Sequence, residues 1–228
     1  MFKSKMVLLC GLALAVGQVL AADNALNTDK DKLSYSIGAS VGKNLKVEGS
    51  DIDLNVLIEG LKTSFSGGKS LLSEPEIRKV MNDYQTQLRQ RAIIKKQQAT
   101  TDNKKKGDTF LAQFKAEKGV LSLPEGVLYK VVKEGNGPKP TENDVVEVNY
   151  RGALIDGTQF DATEPGHPAS LKVASLIPGW KQALSVMPVG SKWHIVVPPQ
   201  LAYGERGVGN DIGPNEVLVF DLELIAIK

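Results

Sequence analysis

The sequence has few of the residues that carry redox, nucleophilic or metal chemistry. Only one of its 228 residues is cysteine and two are histidine, and it has neither a nucleophile elbow nor a phosphate loop. A single cysteine cannot form a disulfide within the chain, and His167 and His194 have no second ligand at metal spacing. The sequence therefore gives little support to a hydrolase, a kinase or a redox enzyme. It predicts an activity that needs no metal or other cofactor.

The amino terminus has the layout of a secretory signal peptide. Lys3 and Lys5 precede an apolar stretch over residues 6–20, and the small residues Ala21 and Ala22 follow it. A helix that spans a membrane needs about 20 apolar residues, and this stretch is shorter, so no membrane span is predicted. A signal peptide of this kind would direct export of the chain to the periplasm, to the outer membrane or out of the cell, and it would be cleaved after Ala21 or Ala22. Cleavage would also remove the one cysteine.

The charge of the mature chain gives no sign of a nucleic-acid partner. Cleavage removes two lysines from 28 basic residues and leaves the 26 acidic residues, so the formal net charge falls from +2 to zero. Lysine and arginine are frequent between residues 89 and 106, but no aromatic residue is interleaved with them. A charge run of this kind is usually the solvated face of a helix.

The first half of the mature chain has the hydrophobic spacing of helices. Apolar residues recur at every fourth position with two glycines beside them: Leu33, Ile37, Val41 and Leu45, with Gly38 and Gly42. Asp53 is placed to cap a second short helix, which Gly67 and Gly68 end. Helices this short bury too little to be stable alone, so we expect their apolar stripes to meet a second copy of the chain.

A long polar helix is predicted next. Ser73 and Glu76 have the spacing of a capping box, and after an initial apolar stripe the sequence is almost entirely polar over residues 95–109. A helix that is polar all round either bridges two domains through solvent or is only partly formed. We therefore predict a connecting helix within residues 73–119, with Leu111 and Phe114 docking its end.

The second half alternates apolar and polar residues, which is the period of half-buried strands. Three segments show this period, residues 145–154, 193–197 and 218–226, and one short helical segment lies between Pro178 and Pro188. We therefore predict an α+β protein whose C-terminal antiparallel sheet is wrapped on one short helix. Its predicted parts are a signal peptide (1–22), an all-α dimerisation region (23–72), the connecting helix (73–119) and the sheet domain (120–228).

Five short motifs follow one another in the second half: VNYRG (148–152), DGTQFD (156–161), IPGW (177–180), AYG (202–204) and LVFDLEL (218–224). In this order and at these separations they resemble the FKBP domain, and five motifs in register between residues 148 and 224 are hard to obtain by chance. Upstream, DKDKLSYSIGASVGKN at residues 29–44 and the long polar helix resemble the dimerisation region of Mip (macrophage infectivity potentiator) proteins.

The resemblance implies a half-barrel sheet curled round the short helix, an N-terminal homodimer and a cofactor-free peptidyl-prolyl cis/trans isomerase. Its substrates would be X-Pro bonds of exported or extracellular polypeptides, and macrolide inhibitors such as rapamycin would bind the same pocket. An alternative is a dimeric envelope chaperone or binding module, whose cleft holds unfolded clients. Some Mip proteins also aid infection of host cells, and only the resemblance extends that expectation to this chain.

The resemblance also assigns the residues of the pocket. Trp180 would form the floor, and the walls and loop tip would be Tyr150, Phe160, Leu176, Ile177, Tyr203, Ile212 and Phe220. Tyr203 would offer its hydroxyl to the substrate carbonyl, and the Ile177 N–H would bind a further carbonyl. Asp161 would lie at the rim and orient Tyr150 or polarise the twisted amide, so the expected catalytic residues are Asp161, Tyr203 and Tyr150. Without the resemblance, most of these aromatic residues would be interpreted as core.

The chain departs from the family pattern at PASL, residues 168–171. Ala169 and Leu171 lie where the family usually has a further aromatic residue, and the shorter loop supplies no arginine to pair with Asp161. We expect the pocket to be more open on that side, which bears on substrate preference and on the affinity for macrolides.

Overall fold

The computed structural model describes residues 26–47 and 51–228. The predicted signal peptide lies outside the described residues. The chain divides into two compact units, Met1–Ser73 and Glu74–Lys228. Within the described ranges, no helix is both long enough and apolar enough to cross a membrane.

The described residues of the first unit form two helices, α1 (Asp29–Val47) and α2 (Leu54–Phe65). The predicted cap of α2 is confirmed, because Asp53 Oδ1 accepts hydrogen bonds from the N–H groups of Asn55 at 2.8 Å and Val56 at 3.3 Å. Neither helix has a buried residue. In α1 the exposed fractions of Leu33 and Ile37 are 63% and 58%, so the predicted apolar stripe faces solvent in the single chain.

The second unit begins with a 42-residue helix, α3 (Glu74–Lys115). The predicted docking of its end is confirmed: Phe114 is buried, and Phe110 and Leu111 pack against the same small cluster of apolar residues under the sheet. The Phe110 and Phe114 rings stack with centroids 6.2 Å apart. Gly107, one turn earlier, is also buried, so α3 contacts the sheet domain along its last turns rather than at its end alone.

The sheet of the second unit has seven antiparallel strands: β1 (Val120–Ser122), β2 (Leu128–Lys133), β3 (Val145–Leu154), β4 (Gln159–Ala162), β5 (Ala169–Lys172), β6 (Lys192–Val197) and β7 (Leu218–Ile227). Their order in the sheet is β1-β2-β6-β7-β3-β4, with β5 also paired to β3. The long central strands β3 and β7 pair over most of their length.

The main core lies between this sheet and the short helix α4 (Pro178–Val186). Alternate residues of β6 and β7 point into it, among them Ile195, Leu222 and Leu224, all fully buried. Gly179 lets α4 approach closely, since a Cβ at this position would collide with Val197 on β6. The predicted α+β class, with an all-α N-terminal region, a long helix and a C-terminal antiparallel sheet on one short helix, is confirmed.

Candidate active site

Four aromatic side chains from four different elements meet on the face of the sheet that packs against α4: Tyr150 (β3), Phe160 (β4), Trp180 (α4) and Phe220 (β7). The rings of Tyr150 and Phe220 stand at 87° and 85° to the Trp180 ring, each with its centroid 5.2 Å away. Phe160 meets Phe220 edge-on at 5.8 Å. Edge-to-face pairs of this kind are favourable. We call these four residues the aromatic cluster.

A glycine on β3 makes room for two rings of the cluster. Gly152 lies opposite Phe220 in the register of β3 and β7 and opposite Asp161 on β4. A Cβ on Gly152 would lie 2.7 Å from the Phe160 ring and 2.9 Å from the Phe220 ring, which is closer than side chains tolerate. The glycine of the VNYRG motif is therefore required by space, and it sets how deeply the two rings sit.

The rim of the cluster carries a short polar contact. The Tyr150 hydroxyl donates a hydrogen bond to Asp161 Oδ2 at 2.6 Å, the length of a bond to a charged acceptor. Burial raises the pKa of Tyr150 above its ordinary value, and the hydrogen bond to the Asp161 carboxylate raises it further. Tyr150 therefore remains a protonated donor at physiological pH, and its proton points at Asp161.

The start of α4 offers a backbone donor beside the cluster. Ile177 is the N-cap of α4, and Pro178 takes the first helical position. No backbone carbonyl of the described residues accepts a hydrogen bond from the Ile177 N–H. Leu176 and Ile177 are half-buried against the main core that contains Trp180. An amide at this place can bind a carbonyl oxygen brought in by a ligand.

Residues 203–217, which we call the Ile212 loop, close the site on another side. Ile212 is 6% exposed and packs in the same core as Trp180 and Phe220. Mutual backbone hydrogen bonds between Val208 and Ile212, of 2.9 Å and 3.3 Å, hold the loop as a tight hairpin. Tyr203 at its start is 38% exposed and lies near Tyr150, to whose raised pKa it adds.

The structure thus brings together the residues that the motifs singled out. Trp180, Ile212 and Phe220 belong to the main core, and Tyr150, Phe160, Leu176 and Ile177 pack against it. Asp161 joins through Tyr150, and Tyr203 lies near it. Among the described residues no group of three His, Cys, Asp or Glu side chains is placed to hold a metal ion. The arrangement is an apolar aromatic cluster with hydroxyl, carboxylate and amide groups at its edge, which suits binding and distortion of an amide.

Sequence reasoning missed the residues of α3 that contact the Ile212 loop. Asn103 donates a hydrogen bond to the Pro214 carbonyl at 2.9 Å, and Gly107 packs against Val217. Both lie in the stretch that the sequence marks as polar on all sides. One pattern in the sequence could have indicated this contact. Asn103, Gly107, Phe110 and Phe114 lie three or four positions apart, so they share one face of the helix.

Comparisons with known proteins agree with this site. The family model described as the domain amino terminal to FKBP-type peptidyl-prolyl isomerase matches residues 30–131, and that of the FKBP-type peptidyl-prolyl cis-trans isomerase matches residues 137–225. The outer membrane protein MIP of Legionella longbeachae is 45% identical over 99% of this chain and 98% of its own length. The peptidyl-prolyl cis-trans isomerase Mip of Coxiella burnetii is 40% identical over 95% of each chain. The crystal structure of FkpA from Escherichia coli superposes with a TM-score of 0.70 at 37% identity and covers 90% of this chain and 99% of its own.

Proposed function

The chain belongs to the FKBP-type peptidyl-prolyl cis-trans isomerase family, in its Mip subfamily, and from this premise we propose that the aromatic cluster and its rim are the active site. The protein is a peptidyl-prolyl cis/trans isomerase. The observation that supports this site most strongly is the position of Trp180, which is flanked by two rings at right angles next to the Tyr150–Asp161 hydrogen bond.

Peptidyl-prolyl isomerisation breaks no covalent bond. Rotation about a peptide bond faces a barrier of ~18–20 kcal/mol, and both isomers of an X-Pro bond are populated. Trp180 would carry the proline ring, and the surrounding apolar side chains would strip water from the amide. The Ile177 N–H and the Tyr203 hydroxyl would hold the flanking carbonyls while the amide twists, and donors that fit the twisted geometry better than the planar one lower the barrier.

Asp161 acts on this site through Tyr150 and through its own position at the rim. Because the Tyr150 proton is held by the carboxylate, the phenol ring has one orientation against Trp180. The carboxylate itself is exposed, so it can face the nitrogen side of a twisted amide. Both effects depend on the charge of Asp161.

The direct test is the rate of cis-to-trans conversion of a short X-Pro peptide by the whole protein. We expect Asp161→Ala to lower kcat/KM about tenfold or more, because a hydrogen bond to a charged group contributes ~1.5–3 kcal/mol. Tyr203→Phe, which keeps the ring and removes the hydroxyl, should lower it about fivefold. Thr158→Ala in the neighbouring turn is the matched control. If both site variants turned over like the control while remaining folded, the assignment of the site would be wrong.

Proline-containing polypeptides are the substrates of this site, and rapamycin-type macrolides are its proposed inhibitors. A macrolide that carries a proline-like ring would occupy the site above Trp180. Ala169 on β5 is half-buried against the main core and is smaller than the aromatic residue expected there. The small side chain would leave room on this side of the site for a bulky residue that precedes the proline. Rapamycin should inhibit turnover and should compete with the peptide.

The mature protein is proposed to be an exported homodimer. The 22-residue amino-terminal signal pattern supports export, and the relatives include a protein named for the outer membrane. The exposed apolar stripe of α1 supports the dimer, since side chains such as Leu33 and Ile37 are more than half exposed in the single chain. The division into a dimerisation region (23–72), a connecting helix (73–119) and an isomerase domain (120–228) is part of the same proposal.

A further inference from the structure

The last third of α3 lies against the Ile212 loop. Asn103 Nδ2 donates a hydrogen bond to the Pro214 carbonyl at 2.9 Å, between residues 111 positions apart in sequence. In the opposite direction, Asn215 Nδ2 donates to the Thr100 carbonyl at 3.5 Å. Both contacts are partly buried, so water competes for them less than it would at an exposed site. The loop is therefore held to the helix by two amide side chains, one from each partner.

Asn215 has an unusual backbone conformation. Its φ angle is 55°, and it is the single non-glycine residue of the described chain with a positive φ. Asparagine tolerates this region better than most residues, but holding it there still requires support from the surroundings. That support comes from both ends of the residue, because its N–H donates to the Gly204 carbonyl at 2.8 Å while its side chain reaches α3.

These bonds form a short path from α3 to the proposed active site. Asn103 fixes Pro214, the neighbouring Asn215 is bonded to Gly204, and Gly204 follows Tyr203 directly. The same loop carries Ile212 into the core that contains Trp180. The backbone next to Tyr203 is therefore linked to α3 through these two contacts.

Helix α3 and the Ile212 loop are closely packed. A Cβ on Gly107 would lie 2.8 Å from Val217 Cγ2, and a Cβ on Gly213 would lie 3.2 Å from Asn103 Nδ2. The side chains of Glu205 and Arg206 also line a groove with Ile93, Lys96 and Thr100 of α3. The loop thus follows α3 over about four turns, from Ile93 to Gly107.

We propose that Asn103 and Asn215 are positioning residues of the isomerase, which hold Tyr203 and Ile212 at the substrate by fixing the Ile212 loop on α3. This inference rests on the proposed active site. It makes residues 93–107 of α3 a structural part of the catalytic unit as well as a connector. Neither asparagine touches the aromatic cluster, so each acts through the loop.

The test uses the whole protein and measures kcat/KM for a short X-Pro peptide. We expect Asn103→Ala to lower it about fivefold, which corresponds to about 1 kcal/mol in the activation free energy. Asn215→Gly keeps the positive φ without strain and removes only the long hydrogen bond, so we expect a loss of about twofold. Asn82→Ala, the same substitution in the part of α3 before residue 93, is the matched control and should leave turnover unchanged.

A second readout separates positioning from general stability. If Asn103 acts by placing Tyr203, then Tyr203→Phe should cost less in the Asn103→Ala background than in the wild type. Thermal unfolding of each variant checks that the domain is folded, and Asn215→Gly remains a test if Asn103→Ala unfolds early. Full additivity of the two losses, or turnover of Asn103→Ala equal to that of Asn82→Ala, would overturn the inference. An inactive wild type would instead overturn the proposed active site.

Discussion

Helices α1 and α2 present their apolar side chains to solvent, whereas the sheet and α4 bury theirs against one another. Neither short helix has a buried residue, while Ile195, Leu222 and Leu224 of the sheet are fully enclosed. Both regions have an amphipathic sequence pattern. The pattern alone does not show whether the surface that covers the apolar face belongs to the same chain or to another one. The two regions differ in whether another part of the same chain packs against the apolar face: the sheet is covered by α4, and no buried residue is found in α1 or α2. The second unit, with the end of α3, covers its apolar core within the chain, whereas α1 and α2 do not cover their apolar faces.

The sharpest way to test this difference is to remove the same group from each region. We expect Ile195→Ala to destabilise the second unit by about 3 kcal/mol, because it leaves a cavity in a closed core. Ile37→Ala in α1 should change that unfolding by less than about 0.5 kcal/mol. Both tryptophans, Trp180 and Trp193, lie in the second unit, so urea unfolding followed by tryptophan fluorescence reports on that unit. Equal losses from the two substitutions would contradict the comparison.

A charge in the exposed stripe tests whether a second copy covers it. Val41→Asp puts a carboxylate in the middle of the stripe, and its burial in an interface should cost ~2 kcal/mol or more, enough to shift a dimer towards monomers. Ala39→Asp makes a similar change on the other side of α1 and is the control. Sedimentation should show the mass halved for the first variant alone, while turnover of a short peptide stays within about twofold.

Val41→Asp and its control Ala39→Asp also distinguish an isomerase that acts at each site alone from a dimeric chaperone. Two active sites on one dimer raise the effective concentration of the second site for a client that reaches both. If the alternative of a dimeric chaperone holds, Val41→Asp should lose its effect on the refolding of a proline-limited protein and keep its peptide turnover. If refolding and peptide turnover were both retained, the dimer would not be needed for either.

The smallest expected effect concerns a charge at the edge of the sheet domain. Burial raises the pKa of Glu216 above its ordinary value of 4.5, and the nearby Asp156 charge adds to this, against the opposing effect of Lys106. A raised pKa in the folded state means that the stability due to protonated Glu216 is present below pH 4.5 and is lost as the pH rises through the raised value. Glu216→Gln should therefore be relatively more stable at pH 7 than at pH 4. Because Glu216 is only half-buried and solvent screens its charge, we expect less than about 0.5 kcal/mol.

Chemical denaturation of both proteins at the two pH values measures this difference directly. The wild type should lose more stability than Glu216→Gln between pH 4 and pH 7. Parallel curves would show that the environment of Glu216 is the same in the folded and unfolded chain.

Local patterns predicted the elements of this fold well, and the motifs predicted the candidate site. Asp53 caps α2 because a cap is a contact between near neighbours, and the alternation in residues 145–154 requires only that one face be buried. The order β1-β2-β6-β7-β3-β4 joins strands far apart in sequence, so no local pattern specifies it. The motif series could assign Trp180 and Tyr150 to a pocket only through the resemblance, since a core aromatic has the same alternation.

The contacts of α3 show where sequence reasoning reaches its limit. An asparagine such as Asn103 in a polar helix looks like any solvated side chain, because its acceptor is a backbone carbonyl 111 residues away. Gly107 likewise has no local reason to be glycine, and its role appears only when Val217 is placed beside it. Polar sequence can hide a packed helix face wherever the contacts are amide groups and glycines.

The length of α3 has a mechanical consequence. At 1.5 Å per residue, its 42 residues form a rod about 63 Å long. The Ile212 loop and the small cluster around Phe114 clamp the rod from Ile93 to its end. A sideways load on residues 74–92 would act as torque on this clamp. The hydrogen bond between Asn103 and Pro214 lies inside that clamp, so it resists such a torque beside the loop that carries Tyr203.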